Sequence, residues 1–269
     1  MRLLHRSRRS WPGNSGKRHG VRLSASTMAP VSMQGILIRQ AGVITLAQAV
    51  AAGMSADTVQ RRARGGLWER LYPATYLVGG HRLTDEARIH AAWRWAGEQA
   101  TVSGPAAAFW HGMLRAAPAE IELTVPRQTN LRPQPGIRLL RRDLAVQDLV
   151  GVNDIRLAAR PLAALETAVA LPDGSTFLDR ALQRHVRFPA LYRAFCRNRG
   201  REGSTAAGRL ITAAADRADS AAERLLVKIL RAAGVDGWVL GRPFGPYRID
   251  LAFPVAMVAM VAIEVDGWA

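Results

Sequence analysis

Residues 42–78 carry the tightest succession of helix starts and stops in the chain, and that punctuation constrains what can fold there. Thr45 followed by Gln48 is a capping box, in which the hydroxyl accepts from an orphan amide at a helix start and the glutamine reaches back to the cap amide. Gly53 stops that helix. Ser55 caps the next, with Asp57 in its first turn on the positive end of the helix dipole, and Gly65-Gly66 ends it. Leu67-Trp68-Glu69-Arg70-Leu71-Tyr72-Pro73 and Thr75-Tyr76-Leu77-Val78 then read as a short hairpin. Taken with a helix before it, the segment 34–79 is expected to be three helices and a hairpin, a winged helix-turn-helix.

In the second of the punctuated helices, Val59 and Ala63 are four apart and with Leu67 are expected to form a buried stripe. That leaves Thr58, Gln60, Arg61, Arg62 and Arg64 outward. Their donors suit phosphate oxygens and the major-groove edges of guanine or adenine. A merely solvated helix face is the plain alternative. The density of arginine on one side, the absence of acid after Asp57 and the following hairpin favour double-stranded DNA.

The charge points the same way. Of 269 residues, 37 are Lys or Arg and 21 Asp or Glu, a formal net charge of +16. Such a balance favours a polyanionic partner. Only Lys17 and Lys228 are lysines, a skew that reflects GC-rich codon usage and dilutes the meaning of any single arginine. Residues 1–33 hold seven basic residues and no acid. They read as a disordered basic tail that contacts phosphates, as an upstream extension of a frame starting at Met28 or Met33, or, third, as a transit peptide; no apolar stretch there resembles an export signal.

Composition excludes several classes. A lone cysteine rules out an intrachain disulfide and a cysteine-based zinc site, and fits a reducing, cytoplasmic setting. The six histidines show no metal-ligand spacing. The longest apolar run, 251–263, contains Pro254 and is too short to span a bilayer, so no membrane partner is expected.

Between 80 and 203 helical stretches are expected at 84–97, 104–115, 161–171, 176–186 and 190–197. Strands are expected at 121–125, 137–140 and 154–157. Trp93, Trp95, Phe109 and Trp110 fall at helical spacings that build a core, and His90, His111 and His185 read as structural or exposed. No chemistry is assigned to this segment.

Residues 204–269 are expected to open with two helices and close with three strands. In the last two strands, alternation puts Ile249, Leu251 and Phe253 on one face with Asp250 opposite, and Val261, Ile263 and Val265 on one face with Glu264 and Asp266 opposite. A hairpin centred near Met257 would set Asp250 across from Glu264, with Cβ atoms about 5 Å apart. Carboxylates that close repel unless a cation lies between them, and Mg2+ acting on a phosphodiester fits such a pair. Glu223, three residues after Ser220, is either a further acid of that site or half of a capping box. Asp250 and Asp266 also have a plain reading as strand-end or turn residues.

Three stretches carry resemblances. GVITLAQAVAAGMSADTVQRRARGGLWERLYPATYLV, at 42–78, resembles the N-terminal winged helix of AbiEi-type antitoxins of type IV toxin-antitoxin systems, through Gly42, Ala47, Ala49, Gly53, Arg61, Arg62, Gly66, Leu67 and Tyr76. It implies binding to promoter DNA and no catalysis; Ala74 stands where that family commonly has glycine. LRRDL at 140–144 and RPLAALETAVAL at 160–171 are similar to the segment behind that domain in actinobacterial members. SAAERLL, YRIDLAF and AIEVDGW resemble the very-short-patch-repair-endonuclease-like form of the PD-(D/E)xK nuclease core. By that resemblance Asp250 and Glu264 hold the metal, Asp266 stands at the third motif position, where lysine is usual, and Glu223 is the helix-borne acid.

The chain departs from that core by ending at Ala269, before a further helix and strand, and by repeating Val255-Ala256-Met257 as Val258-Ala259-Met260. The expectation is therefore an α+β protein: a winged helix-turn-helix (34–79), a middle α/β segment (80–203) and a partial restriction-endonuclease-like αβββ core (204–269). Its expected function is that of an antitoxin-type DNA-binding regulator with an inactive, truncated nuclease-like end, whose partners are DNA and a cognate toxin or itself. The alternatives are an active Mg2+-dependent DNA endonuclease and a non-enzymatic partner-binding protein.

Overall fold

The computed structural model describes residues 32–253 and 261–263, which form helices and three sheets in a mixed α+β arrangement. The first unit runs α1 (Met33–Arg39), β1 (Val43–Thr45), α2 (Leu46–Ala51), α3 (Ala56–Arg64), β2 (Trp68–Tyr72) and β3 (Thr75–Val78). The capping box forms: the Gln48 amide donates to Thr45 Oγ1 at 3.2 Å, and the Thr45 amide to Gln48 Oε1 at 3.0 Å. Ser55 Oγ accepts from the Thr58 amide at 3.2 Å. The strands lie in the order β1-β3-β2, all antiparallel. Strand β1 was not expected, since three residues are too few to show an alternation.

Ile36, Ile44, Val59, Trp68 and Tyr76 close a core between the three helices and the sheet. Across the sheet, Val43 and Leu77 meet Ala87 and Ala91 of α4 (Asp85–Ala96). Ala74, in the tight turn between β2 and β3, holds φ at +55°, a left-handed conformation that L-residues adopt at a cost. A glycine would occupy it without that cost.

Beyond α4 come β4 (Thr101–Val102), α5 (Gly104–Trp110), β5 (Ile121–Val125), β6 (Ile137–Arg141), a 3-10 turn (Val146–Asp148), β7 (Leu149–Val152) and β8 (Ile155–Ala158). These strands make one sheet in the order β6-β5-β4-β8-β7. β5 runs parallel to β6 and β4 to β8; the other two pairs are antiparallel. The β7–β8 turn places both Asn153 (φ +48°) and Asp154 (φ +62°) in the left-handed region, as a two-residue hairpin turn matched to strand twist requires.

Four more helices follow: α6 (Arg160–Ala170), α7 (Gly174–Arg184), α8 (Phe188–Arg197) and α9 (Ser204–Ala232). Helix α6 is apolar on two sides. Leu162 and Ala163 join the core over the five-stranded sheet, whereas Ala164, Leu165 and Ala168 join a second core with Phe177, Leu178, Leu191 and Ile211 of the surrounding helices. Asp148, 1% exposed, ties α8 to the start of β7 by accepting from Arg197 Nε at 3.1 Å and Asn198 Nδ2 at 2.8 Å.

The two helices expected after residue 204 are one. Helix α9 runs unbroken for 29 residues. Its alanine-rich sequence has no proline and only Gly208 as a weak point, so propagation wins over a fresh start at Ser220. The last sheet comprises β9 (Val239–Phe244), β10 (Tyr247–Phe253) and β11 (Val261–Ile263) in the order β11-β10-β9. No helix among the described residues is long and apolar enough to cross a membrane.

Two outcomes test this packing. A Cβ on Gly174 would fall 1.7 Å from the Ala168 carbonyl oxygen, whereas one on Gly151 meets nothing within 4 Å. Urea denaturation of Gly174→Ala is expected to show a loss of about 1–3 kcal/mol, with no loss for Gly151→Ala. His90, 2% exposed and edge-on to Trp110 at 5.2 Å, is held down to about 4, by burial first and then by Arg94, with Asp154 opposing. Its folded value lies below its ordinary value of 6.5, so its contribution to stability is full above that pH and is lost as pH falls toward 4. The loss amounts to about 3 kcal/mol at most. Denaturation between those pH values should give His90→Leu a smaller acid slope than the wild type; equal slopes would refute the assignment.

Candidate nucleic-acid interface

Helix α3 exists because Ser55 caps it and Val59 anchors it: Val59 is fully buried and Ala63 half-buried against the core of the first unit. Leu67 does not complete the stripe. It is 66% exposed, and the neighbouring Trp68, at 3%, fills the core position instead, because β2 begins there and turns the chain by one residue.

Of the five outward residues expected on α3, the structure leaves Gln60, Arg61 and Arg64 exposed. Thr58 is half-buried, and its hydroxyl lies 2.9 Å from Ser55 Oγ in the cap. Arg61 reaches back toward it, with Nη2 3.5 Å from Thr58 Oγ1. Arg62 is also half-buried: its guanidinium lies 5.7 Å from the Trp68 ring centroid and its Nη1 is 4.0 Å from Met54 Sδ. A cation over an indole face is attracted by the ring quadrupole, so Arg62 braces α3 on β2 rather than projecting outward.

Arg61, Arg62 and Arg64 all fall in the last turn of α3, where positive charge complements the dipole, and Asp57 lies in the first. Arg70, exposed on β2, adds a guanidinium on the hairpin that follows. The sequence reading passed over it, although its place in a hairpin after an arginine helix was the available signal. On α3 and β2 together, Gln60, Arg61, Arg64 and Arg70 are exposed donors, and Asp57 and Glu69 are the acids.

The C-terminal acids are only partly described. Asp250 is half-buried on β10, and Glu223 half-buried on α9. Ser220 lies inside α9, sixteen residues past its start at Ser204, so the capping-box explanation of Glu223 does not apply. Strands β10 and β11 pair with Leu251 opposite Ile263 and Phe253 opposite Val261. That is the register of a hairpin centred on residue 257. Glu264 and Asp266 lie outside the described residues. Among those described, no group of three or more His, Cys, Asp or Glu side chains could hold a metal ion.

A polar cluster in the middle segment escaped the sequence reading altogether. Thr124 Oγ1 donates to Ser103 Oγ at 3.0 Å, and Ser103 Oγ donates to Glu122 Oε1 at 3.1 Å. The Gly104 amide donates to Glu166 Oε2 at 3.0 Å, and the other oxygen of Glu166 takes Arg142. Gly104 holds φ at +54°, and a Cβ there would lie 2.7 Å from Glu122 Oε1, so only glycine lets the two carboxylates flank this turn. Glu122 is pushed above the usual carboxylate range by burial first and then by the charge of Glu166. The hydrogen bonds of this cluster join residues 19 to 62 positions apart in the chain, a pattern no local motif announces.

No model of a known protein family matches the chain, and no curated protein matches it by sequence. Three solved chains match it in structure. One is the crystal structure of the RV2827C protein from Mycobacterium tuberculosis, similar at a TM-score of 0.44 and 16% identity over 67% of this chain and 75% of that one.

Proposed function

We propose that this protein binds double-stranded DNA through a winged helix-turn-helix formed by residues 34–79, as a transcriptional regulator of the type IV antitoxin kind. The observation that carries the reading is the exposure of Gln60, Arg61 and Arg64 on one face of α3, a helix held to its sheet by Val59 and by the Arg62–Trp68 contact. Helix α3 would enter the major groove, where arginine reads guanine and glutamine reads adenine, and the β2–β3 hairpin with Arg70 would lie along the backbone. The net charge of +16 supports attraction to a polyanion from a distance. The resemblance of residues 42–78 to AbiEi-type antitoxins supports a promoter as the target and a cognate toxin or a second copy as the further partner.

A second reading comes from the hairpin register. A β10–β11 pair with Leu251 opposite Ile263 is the one that a Mg2+ site shared by Asp250 and Glu264 would require. In that site the metal would polarise a phosphodiester and activate water, with Asp266 and Glu223 as further acids. Those residues fit an oxygen-seeking cation by donor type.

The first reading is tested by gel shift on duplex DNA across a salt series. Arg61→Ala and Arg64→Ala are each expected to weaken binding about tenfold, and a lost phosphate contact should lower the salt slope by about one. Unchanged affinity in both variants rejects α3 as the reading helix. For the second reading, plasmid DNA is incubated with Mg2+ or EDTA: cleavage dependent on Mg2+ and absent in Asp250→Ala is the expected outcome, and intact plasmid under both conditions rejects it.

A further inference from the structure

A cavity of about 620 Å3 opens between strands β5 and β6, helix α6 and the start of α9, away from α3 and from β10. Its size lies in the range of small-molecule sites, roughly 300–1,000 Å3. The floor is apolar, formed by Leu162, Leu165, Val169, Phe195 and Ala207. The walls carry five arginines, Arg127, Arg138, Arg141, Arg142 and Arg201, against three glutamates, Glu122, Glu166 and Glu202.

The arginines divide into two kinds. Arg142 pairs with Glu166, Arg138 bridges Glu122 and Glu202, and Arg127 lies 3.7 Å from Asp143, so these three already face carboxylates. Arg141 and Arg201 do not. Arg141 donates only to backbone, through Nε to the Thr129 oxygen at 3.3 Å and Nη2 to the Leu131 oxygen at 2.6 Å. Arg201 donates to Asn198 Oδ1 at 2.6 Å and to the Asp143 carbonyl at 2.9 Å. Among the described residues neither has a carboxylate within ion-pair distance. Both guanidiniums are fixed in place by neutral acceptors, which orients them without neutralising them.

Two further features add to this positive bias. Gly203, Ser204 and Ala207, the first turn of the 29-residue helix α9, line the same cavity, and no side chain caps that helix. Its dipole therefore places partial positive charge beside Arg201. Arg201 is held below its usual value by burial first and by Arg142 next, with Asp148 and Glu166 opposing. The carboxylates do not cancel the bias at Arg141 and Arg201, since Glu166 faces Arg142 and both Glu122 and Glu202 face Arg138.

The geometry points to a binding site for a nucleotide-sized phosphorylated molecule, with its phosphoryl group on Arg141, Arg201 and the start of α9 and its flat apolar body on the Leu162–Phe195 floor. Glu122 and Glu166, both half-buried and already hydrogen-bonded within the protein, line the same cavity and hold Arg138 and Arg142 in its wall. A bare phosphate would leave the floor wet, and an uncharged nucleoside would leave two arginines unanswered. The site stands independently of the DNA reading, because none of its residues lies on α3, β2 or β10.

The test is calorimetric titration of the full chain with AMP, GMP, inorganic phosphate and adenosine. AMP or GMP is expected to bind saturably and at least tenfold tighter than either phosphate or adenosine. Arg201→Ala and Arg141→Ala should each weaken that binding tenfold or more. Ala170→Trp, which places a bulky ring on an exposed residue at the cavity mouth, should block binding while leaving the melting temperature within a few degrees of wild type. Arg64→Ala should bind the nucleotides like wild type, which separates this site from the DNA face. The proposal is overturned by no binding tighter than about 1 mM, by phosphate binding as tightly as the nucleotides, or by wild-type affinity in both Arg201→Ala and Ala170→Trp.

Discussion

Helix α4 is the element on which the three-stranded and the five-stranded sheets both close. Its twelve residues present Ala87 and Ala91 to the three-stranded sheet and Ile89, Ala92 and Trp93 to the five-stranded one, so it is apolar on two sides. Small side chains on the first side let the sheet approach closely; Ile89 and Trp93 on the second fill a thicker gap. His90 lies between these faces, and burying a histidine there is tolerable only while it is neutral. Removing either apolar side would leave a sheet face open to water.

From α4 the architecture divides its labour between surface and interior. The arginines of α3 stay outside, but one of three, Arg62, is drawn onto Trp68 and holds the helix in place. In the middle segment the arrangement is reversed. Buried Ser103 and Thr124 and half-buried Glu122 and Glu166 form a hydrogen-bonded network around Gly104, and the arginines near it are sorted into those that neutralise carboxylates and those fixed by carbonyls. That sorting is what makes one cavity positive although acids line it. Burial without a partner would be costly for any of these groups, so their hydrogen bonds define where charge can remain available.

How much was legible in the sequence depends on how local each signal is. The Thr45–Gln48 box, the Ser55 cap and the glycine stops lie within a few residues of what they govern, and the helices at 46–51 and 56–64 form where they point. Thr84 and Gly97 likewise bound α4, and the alternation at 121–125 gives β5. By contrast β4 is two residues long and β7 holds a glycine, so neither shows a period. Ser220 looked like a helix start because a serine before an acid is a local signal, yet the alanine-rich surroundings carried one helix through it. The face of α3 was readable apart from Thr58 and Arg62, whose burial depends on a cap hydroxyl and on Trp68. The cavity at Arg141 and Arg201 was not readable, since its walls come from strands, a helix start and a loop far apart in the chain.

Helix α9 measures about 43 Å along its axis at the usual rise per residue. Ala207, Ile211 and Ala214 bury its root among the other helices, whereas from residue 221 onward none of its side chains is fully buried, with Leu225 and Ile229 more than half exposed. A rod clamped at one end acts as a lever, so a tilt of a few degrees at the clamp becomes a displacement of ångströms at the tip. The clamp is also the wall of the arginine cavity. Anything held in that cavity would rest against the fixed end of the rod, not its exposed length.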